Sequence, residues 1–410
     1  MDSTNSTDSW AAASNALSTQ WIEPSDVFSV LLILGGDVIQ LALASLTGGP
    51  LLTPIAFSFG WVAYAISAVL SAVGENRLVR CAPEVDVQVF NLQSGYRRSN
   101  RSWLLGRLIQ TYPFWIAPEV KAEVDGAEAR VALCITVYKW RDSIKPGVPA
   151  HDLIWWSGFG ISAMQLGIAA IPFGLYHDWT IFLVTACGTI LCYASASLPH
   201  WRIEKWHART TEKDVALTLG NGSQHVVIIL GAKHGLDLED LAVGRAPDVW
   251  STRFATIFLA ILWLVLLITC TGIKTKTWYL LVVGGLGMLH NIVVAGAPRR
   301  PAALGLPIEP VTMEGHGVEV YAEPKVMYTL MELELKHKGF GKPLLEEFFP
   351  GKLRDWEVKW WESESQELRM QMLKQDKENR RLKMLKEKEK EKEKDKEKEK
   401  HLLMPTIVVV

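Results

Sequence analysis

Residues 27–46 read VFSVLLILGGDVIQLALASL. The run carries one charged side chain, Asp37, and has the length a helix needs to cross the hydrocarbon core, about 20 residues. Five further runs share this character: Leu52–Val73 (LTPIAFSFGWVAYAISAVLSAV), Leu153–Leu175, Trp179–Ser197, Phe254–Gly272 and Trp278–Ala297. They pair across short links, Thr47–Leu51, Tyr176–Asp178 and Ile273–Thr277, and Gly48, Gly49 and Pro50 give the first link a turn. Tryptophan and tyrosine gather at the run ends, at Trp155, Trp156, Tyr176, Trp179, Trp278 and Tyr279, where an interfacial belt belongs. The expected fold class is therefore an α-helical polytopic membrane protein, with six transmembrane helices in three hairpins.

Composition agrees. Of 410 residues 49% are hydrophobic, although the last fifty or so are densely charged, so the apolar residues must sit in blocks. Basic residues flank the runs on one side: Arg77 and Arg80, Lys139, Arg141 and Lys145, Arg202, Lys205 and Arg209, Arg245 and Arg253, Arg299 and Arg300. Only Lys274 and Lys276 lie on the other. An excess of Lys and Arg marks the cytoplasmic side. Six crossings would then place both termini in the cytoplasm, in a membrane the sequence does not specify. The glycosylation sequons at Asn5, Asn100 and Asn221 would be cytoplasmic and unmodified. The first 26 residues contain no Lys or Arg, so no cleaved signal peptide is expected, and they read as a disordered N-terminus.

The long links are polar but structured. Val85–Leu92 alternates like a strand, Asn100–Tyr112 reads as a short amphipathic helix, and Ala129–Trp140 is a β-branched strand. Ala216–Leu230 reads as two strands turning at Asn221-Gly222. These pieces predict a small cytoplasmic α+β portion built from the loops 74–152 and 198–253, followed by a mixed region, Pro298–Pro350. From Gly351 a charged, Glu/Lys-rich tail follows, helical or disordered; its composition is that of a coiled-coil arm without apolar seam positions past Leu385. The apolar end Met404–Val410 reads as a frayed terminus, with a partner groove as the alternative.

Two groups of residues are candidates for function. Asp37, Gln40, Gln165, His290 and Asn291 lie at similar depth in three of the runs. A carboxylate at mid-bilayer costs at least about 2.5 kcal/mol and normally faces partners inside the bundle. Such a cluster would relay protons or hold a polar substrate; the alternative is a hydrogen-bond network that fixes packing. Gly35-Gly36, Gly158, Gly160, Gly167, Gly284-Gly285 and Gly287 allow close helix approach. The second group, Arg97, Arg98, Arg101 and Arg107 with Tyr96 and Trp103, is suited to anionic lipid headgroups. A reactive pocket at the membrane face would draw on Arg97–Arg107 and His200–His207. His225, His234 and His316 are isolated. The scattered cysteines, five in all, read as free thiols, and neither a metal site nor a cofactor is expected. GxSxG, HExxH and P-loop patterns are absent.

The stretches Gly35–Leu78 and Ser94–Ile109 (SGYRRSNRSWLLGRLI) resemble multi-pass membrane proteins of filamentous fungi that have no assigned function. The resemblance implies a membrane location and carries no mechanism. Three functional classes stay open: a transporter- or channel-like protein, a scaffold binding a protein partner through loops and tail, and a membrane-embedded enzyme acting on lipids. The bilayer is the expected partner in each; nucleic acid is not, since no recognition module surrounds the basic cluster.

Overall fold

The computed structural model describes residues 27–402, apart from 50, 51, 76, 79, 80, 127–129, 246, 274 and 314–316, and excludes the side chains of 27–34, 388, 392 and 395–402. Asn5, Arg80, Lys274, His316 and Met404–Val410 lie outside the described residues. In chain order the main helices are α1 (Val27–Leu46), α2 (Gly60–Gly74), α3 (Trp103–Gln110), α4 (Leu153–Tyr176), α5 (Thr180–Ala196), α6 (Trp250–Thr271), α7 (Thr277–Gly296), α8 (Val326–Lys336), α9 (Lys342–Phe348) and α10 (Gln366–Leu402).

Among the described residues four helices, not the six expected, are long and apolar enough to cross a membrane; these are α4 to α7. Their outward faces stay apolar and exposed, as at Phe258, Ile268, Leu289 and Val293. Lipid is the solvent that suits such faces. The second expected span departs most from its reading. Leu52–Ser58 is not helical, and α2 starts only at Gly60. Thr53 to Ser58 are nevertheless buried. An extended chain has threaded into the bundle where a helix was expected.

Its direction follows from its neighbours. Thr53 N–H donates to Ser197 Oγ at the end of α5. Further along, Phe59 lies against Gly284 of α7, and Gly60 against Gly35 of α1. Counted back from Gly296, Gly284 lies about 18 Å inside the bundle at 1.5 Å per residue. Helix α2 then returns to the level where the segment started: Leu78 N–H reaches Glu204 and Arg77 reaches the Gly244 carbonyl. The segment and α2 together form a re-entrant hairpin, extended inward and helical outward. Non-helical backbone at membrane depth is tolerated only when protein surrounds it.

The strands are β1 (Gln88–Asn91), β2 (Arg97–Ser99), β3 (Leu133–Trp140), β4 (Val215–Thr218), β5 (His225–Leu230), β6 (Ile308–Pro310), β7 (Thr312–Met313), β8 (Gly317–Val318) and β9 (Val320–Glu323); β1, β3, β4 and β5 follow the sequence expectations, whereas β2 was not expected. Six of them form one sheet in the order β2-β1-β4-β5-β3-β6, with β9 sharing the outer edge of β3. Only β3 and β5 pair in parallel. The 4–5 hairpin turns through Gly220 and Gly222, both at positive φ. The run HVVIIL of β5 is apolar on both faces because both faces are covered. Val227 and Ile229 pack towards α3, while Val226 and Ile228 pack towards α8 and α9. The loops 74–152 and 198–253 do meet in one sheet, and the chain after α7 adds a third contribution. The hairpins α4–α5 and α6–α7 are thus insertions between strands of a single sheet.

Helix α10 docks by its first turns. Leu373 is buried beside Met327, Tyr328, Met331 and Trp360, and Lys377 Nζ bridges Glu323 at 2.6 Å and Glu332 at 2.5 Å. Beyond these contacts the described side chains between residues 381 and 394 are solvent-exposed.

Candidate functional site

The expected five-residue cluster is not assembled at one place. Gln165 and Asn291, both fully buried, are drawn to the re-entrant segment. Gln165 Nε2 donates to the carbonyls of Phe57 and Val283, each at 2.7 Å, and Asn291 Nδ2 donates to the Ala56 carbonyl at 3.1 Å. Trp61 Nε1 gives the same carbonyl a second hydrogen bond at 3.1 Å. An extended segment has no internal hydrogen bonds, and each unmet backbone group in apolar surroundings costs about 1–3 kcal/mol. The two amides therefore do the work of secondary structure.

His290 faces Ser157 Oγ of α4 at 2.9 Å. Asp37 is exposed on the outside of α1, and Gln40 reaches the Cys81 sulfur. The cavity at the junction of bundle and sheet is not lined by Asp37, Gln165 or His290. The glycines explain how the segment fits. A Cβ at Gly158 would overlap the Pro54 carbonyl, at Gly188 the Phe57 ring, at Gly284 the Phe59 ring and at Gly287 the Phe57 carbonyl. Gly35 and Gly36 meet another helix in the expected way, with a Cβ at Gly35 falling 2.5 Å from Gly60 Cα and one at Gly36 falling 3.3 Å from Ala63 Cβ. Gly160, Gly167 and Gly285 face open space.

The basic residues at the base of the bundle divide into two sets. The first set caps helix C-termini, whose last carbonyls lack partners and carry partial negative charge. Arg299 Nη1 binds the Ser45 carbonyl of α1 at 2.6 Å, and its other nitrogens hold Asp152, the N-cap of α4, at 2.8 and 2.9 Å. Arg107, of the expected headgroup set, is buried; it binds the Ala295 and Ala297 carbonyls at 2.7 and 3.1 Å and pairs with Glu84. Arg97 pairs with Glu347 at 2.6 Å, and Arg98 lies over the Tyr96 ring and 3.8 Å from Glu239. None of these three is free for a headgroup.

The second set lines a cavity of about 290 Å³ where bundle meets sheet. Arg77, Arg101, Lys205 and Arg245 contribute four basic side chains, His207 an imidazole, and Glu204 the single carboxylate among the lining residues. Glu204 is engaged by the Leu78 N–H at 2.7 Å and by His200 at 3.4 Å. Arg245 has a distant partner, Asp240, at 3.9 Å. Arg101, exposed, is the one arginine of the expected headgroup set that reaches this cavity.

Two further observations point to a missing ligand. Lys205 is only 5% exposed, yet its ammonium has one hydrogen-bond acceptor, the Thr47 carbonyl at 2.8 Å, and no carboxylate partner among the described residues. Its remaining neighbours are the rings of Trp206, at 5.0 Å, and Trp103, at 5.9 Å. Trp103, 4% exposed, lines the same cavity, and its indole N–H has no acceptor among the described residues. Burial, with Arg299 nearby, holds the Lys205 pKa well below the usual lysine value, and an anion completing the site would favour its charged form. Cys81 also lines the cavity, but burial, with Glu84 and Asp37 nearby, pushes its thiol up to about 12. That thiol stays protonated at neutral pH and is a poor nucleophile.

Sequence reading placed Arg77, Lys205 and Arg245 only as orientation signals and overlooked the Trp103 N–H. A reactive pocket at the membrane face was expected to draw on Arg97–Arg107 and His200–His207, and the cavity takes Asn100 to Leu104 from the first range and Glu204, Lys205 and His207 from the second. Compared with known proteins, the chain matches no family model, no curated protein and no solved structure.

Proposed function

We propose that this membrane-anchored protein binds an anionic, phosphate-bearing lipid headgroup in the cavity between its helical bundle and its sheet. The observation that carries this reading is the buried Lys205 ammonium, which lacks a carboxylate partner and shares a cavity with Arg77, Arg101 and Arg245. Phosphate oxygens answer guanidinium, ammonium and indole N–H donors alike. The cavity wall includes Arg77, close behind the end of α2, and Lys205, close behind α5, so it lies at the level where headgroups sit. Its volume suits a headgroup rather than an entire lipid.

Transport through mid-bilayer loses its support, because Gln165 and Asn291 hold backbone and Asp37 points away from the bundle. A lipid-acting enzyme would use the same cavity, but the thiol there is held protonated. A scaffold reading rests on the exposed length of α10 and is compatible with headgroup binding.

The test is lipid retention by the full-length protein, reconstituted in phosphatidylcholine nanodiscs with or without phosphatidic acid and released for mass spectrometry. Phosphatidate is expected to stay bound and to raise the melting temperature. Inorganic phosphate added to detergent-solubilised protein separates a free anion from a headgroup. Equal retention of phosphatidylcholine and phosphatidate would refute the proposal.

A further inference from the structure

Helices α1 and α2 were expected to run antiparallel, as a spanning hairpin. They run the same way. The Ser45 and Thr47 carbonyls, at the end of α1, are held by Arg299 and Lys205. Leu78, just beyond α2, is held by Glu204. All three holding residues lie on the sheet side of the bundle, as does Asp152 at the start of α4. Midway, Gly35 of α1 meets Gly60 at the start of α2, and the chain between the two helices enters and leaves on the sheet side.

Helix α1 runs for 20 residues, about 30 Å at 1.5 Å per residue, which matches the hydrocarbon thickness. Its C-terminal end is on the sheet side, so its N-terminal end is on the opposite side. With α4 to α7 this makes five crossings, an odd number.

We infer that the chain crosses the membrane five times, that its N-terminus lies across the bilayer from the sheet, and that Asn5 is an N-glycosylation site. Three observations converge on this. The sheet side carries the basic flanks of α4 to α7 and is therefore cytoplasmic. The first 26 residues hold no Lys or Arg, which is the composition of a segment that is translocated. On the far side, the Lys276 ammonium is accompanied by Asp178 at 3.7 Å and by the Tyr176 ring at 4.0 Å, so little positive charge opposes this orientation. The sequon Asn5-Ser6-Thr7, 22 residues before the start of α1 in the sequence (27 minus 5), then falls on the glycosylating side. Asn100 and Asn221 face the cytosol; Asn100 is also buried, with its side chain bonded to Ser102.

The experiment uses the full chain, expressed in eukaryotic cells, with an epitope tag at each end. Endoglycosidase H is expected to sharpen and lower the protein's band, and Asn5→Gln to abolish that shift, while Asn100→Gln and Asn221→Gln change nothing. In sealed microsomes, added protease is expected to remove the C-terminal tag and spare the N-terminal one. Loss of both tags together, or a glycan on Asn100 or Asn221, overturns the five-crossing topology. A protected N-terminal tag on a chain that stays unglycosylated overturns the assignment of Asn5 alone. Neither readout involves the headgroup cavity.

Discussion

Two regions of the molecule bury polar groups in apolar surroundings, and they handle them in opposite ways. Along the re-entrant segment two buried backbone carbonyls are answered: that of Ala56 receives Asn291 and Trp61, that of Phe57 receives Gln165, and glycines let the neighbouring helices close over them, while the amide oxygens of Gln165 and Asn291 find no donor among the described residues. At the junction with the sheet, Lys205 and Trp103 are just as buried but are answered only in part, beside an open cavity with three arginines. Partners for buried backbone carbonyls are what a structural element requires. A buried lysine without a carboxylate beside a cavity is what a ligand would complete. Position in the membrane is therefore a weaker guide to function than satisfaction of polar groups.

Variants can break or sharpen this contrast. The largest effect is expected from Gly287→Leu, whose side chain would occupy the Phe57 carbonyl. Size-exclusion chromatography in detergent should show aggregated protein in place of a single peak. Next comes Gln165→Leu, which strands the buried Phe57 carbonyl and should cost about 1–3 kcal/mol of stability. Its melting temperature should fall while phosphatidate retention by the remaining folded protein is unchanged. If retention fell in step with stability, the two regions would not be separate in function.

Arg101→Gln should do the reverse. It is exposed, so its melting temperature should match wild type, whereas phosphatidate affinity should fall about five-fold, the equivalent of about 1 kcal/mol per charge near an anionic surface. Raising salt should shrink that difference.

The smallest effect concerns the sheet. Burial lowers the pKa of His225 below its usual 6.5. A histidine whose folded pKa is depressed contributes stability that is complete above the unfolded pKa and fades as pH falls towards the folded one. Denaturation monitored by tryptophan fluorescence should therefore weaken from about pH 6.5 downward, and His225→Asn should flatten that slope without moving the headgroup affinity.

Much of this architecture is legible in the sequence. Hydropathy locates α4 to α7, and period-two patterning with Asn221-Gly222 locates β3, β4 and β5. The Leu52–Ser58 segment is misread because a buried extended chain and a buried helix have the same composition. Pro54 inside that run is the signal that argues against a helix there, since proline removes a backbone donor. The roles of Gln165 and Asn291 depend on that misread segment and so are lost with it. The basic residues are harder still. Arg97, Arg101 and Arg107 look alike in sequence, and only their neighbours show that one pairs with Glu347, one lines a cavity and one caps a helix. Lys205 gains its meaning from Thr47 and Trp103, both remote in the chain.

The central claim is that the unanswered charge is at the junction and the answered polarity is in the bundle. The most direct measurement compares the phosphatidate-induced rise in melting temperature for wild type, Gln165→Leu and Arg101→Gln, each full-length in nanodiscs. The account predicts a normal rise from a lower starting temperature for Gln165→Leu, and a much reduced rise from a normal starting temperature for Arg101→Gln. A full rise in Arg101→Gln together with its loss in Gln165→Leu would contradict it.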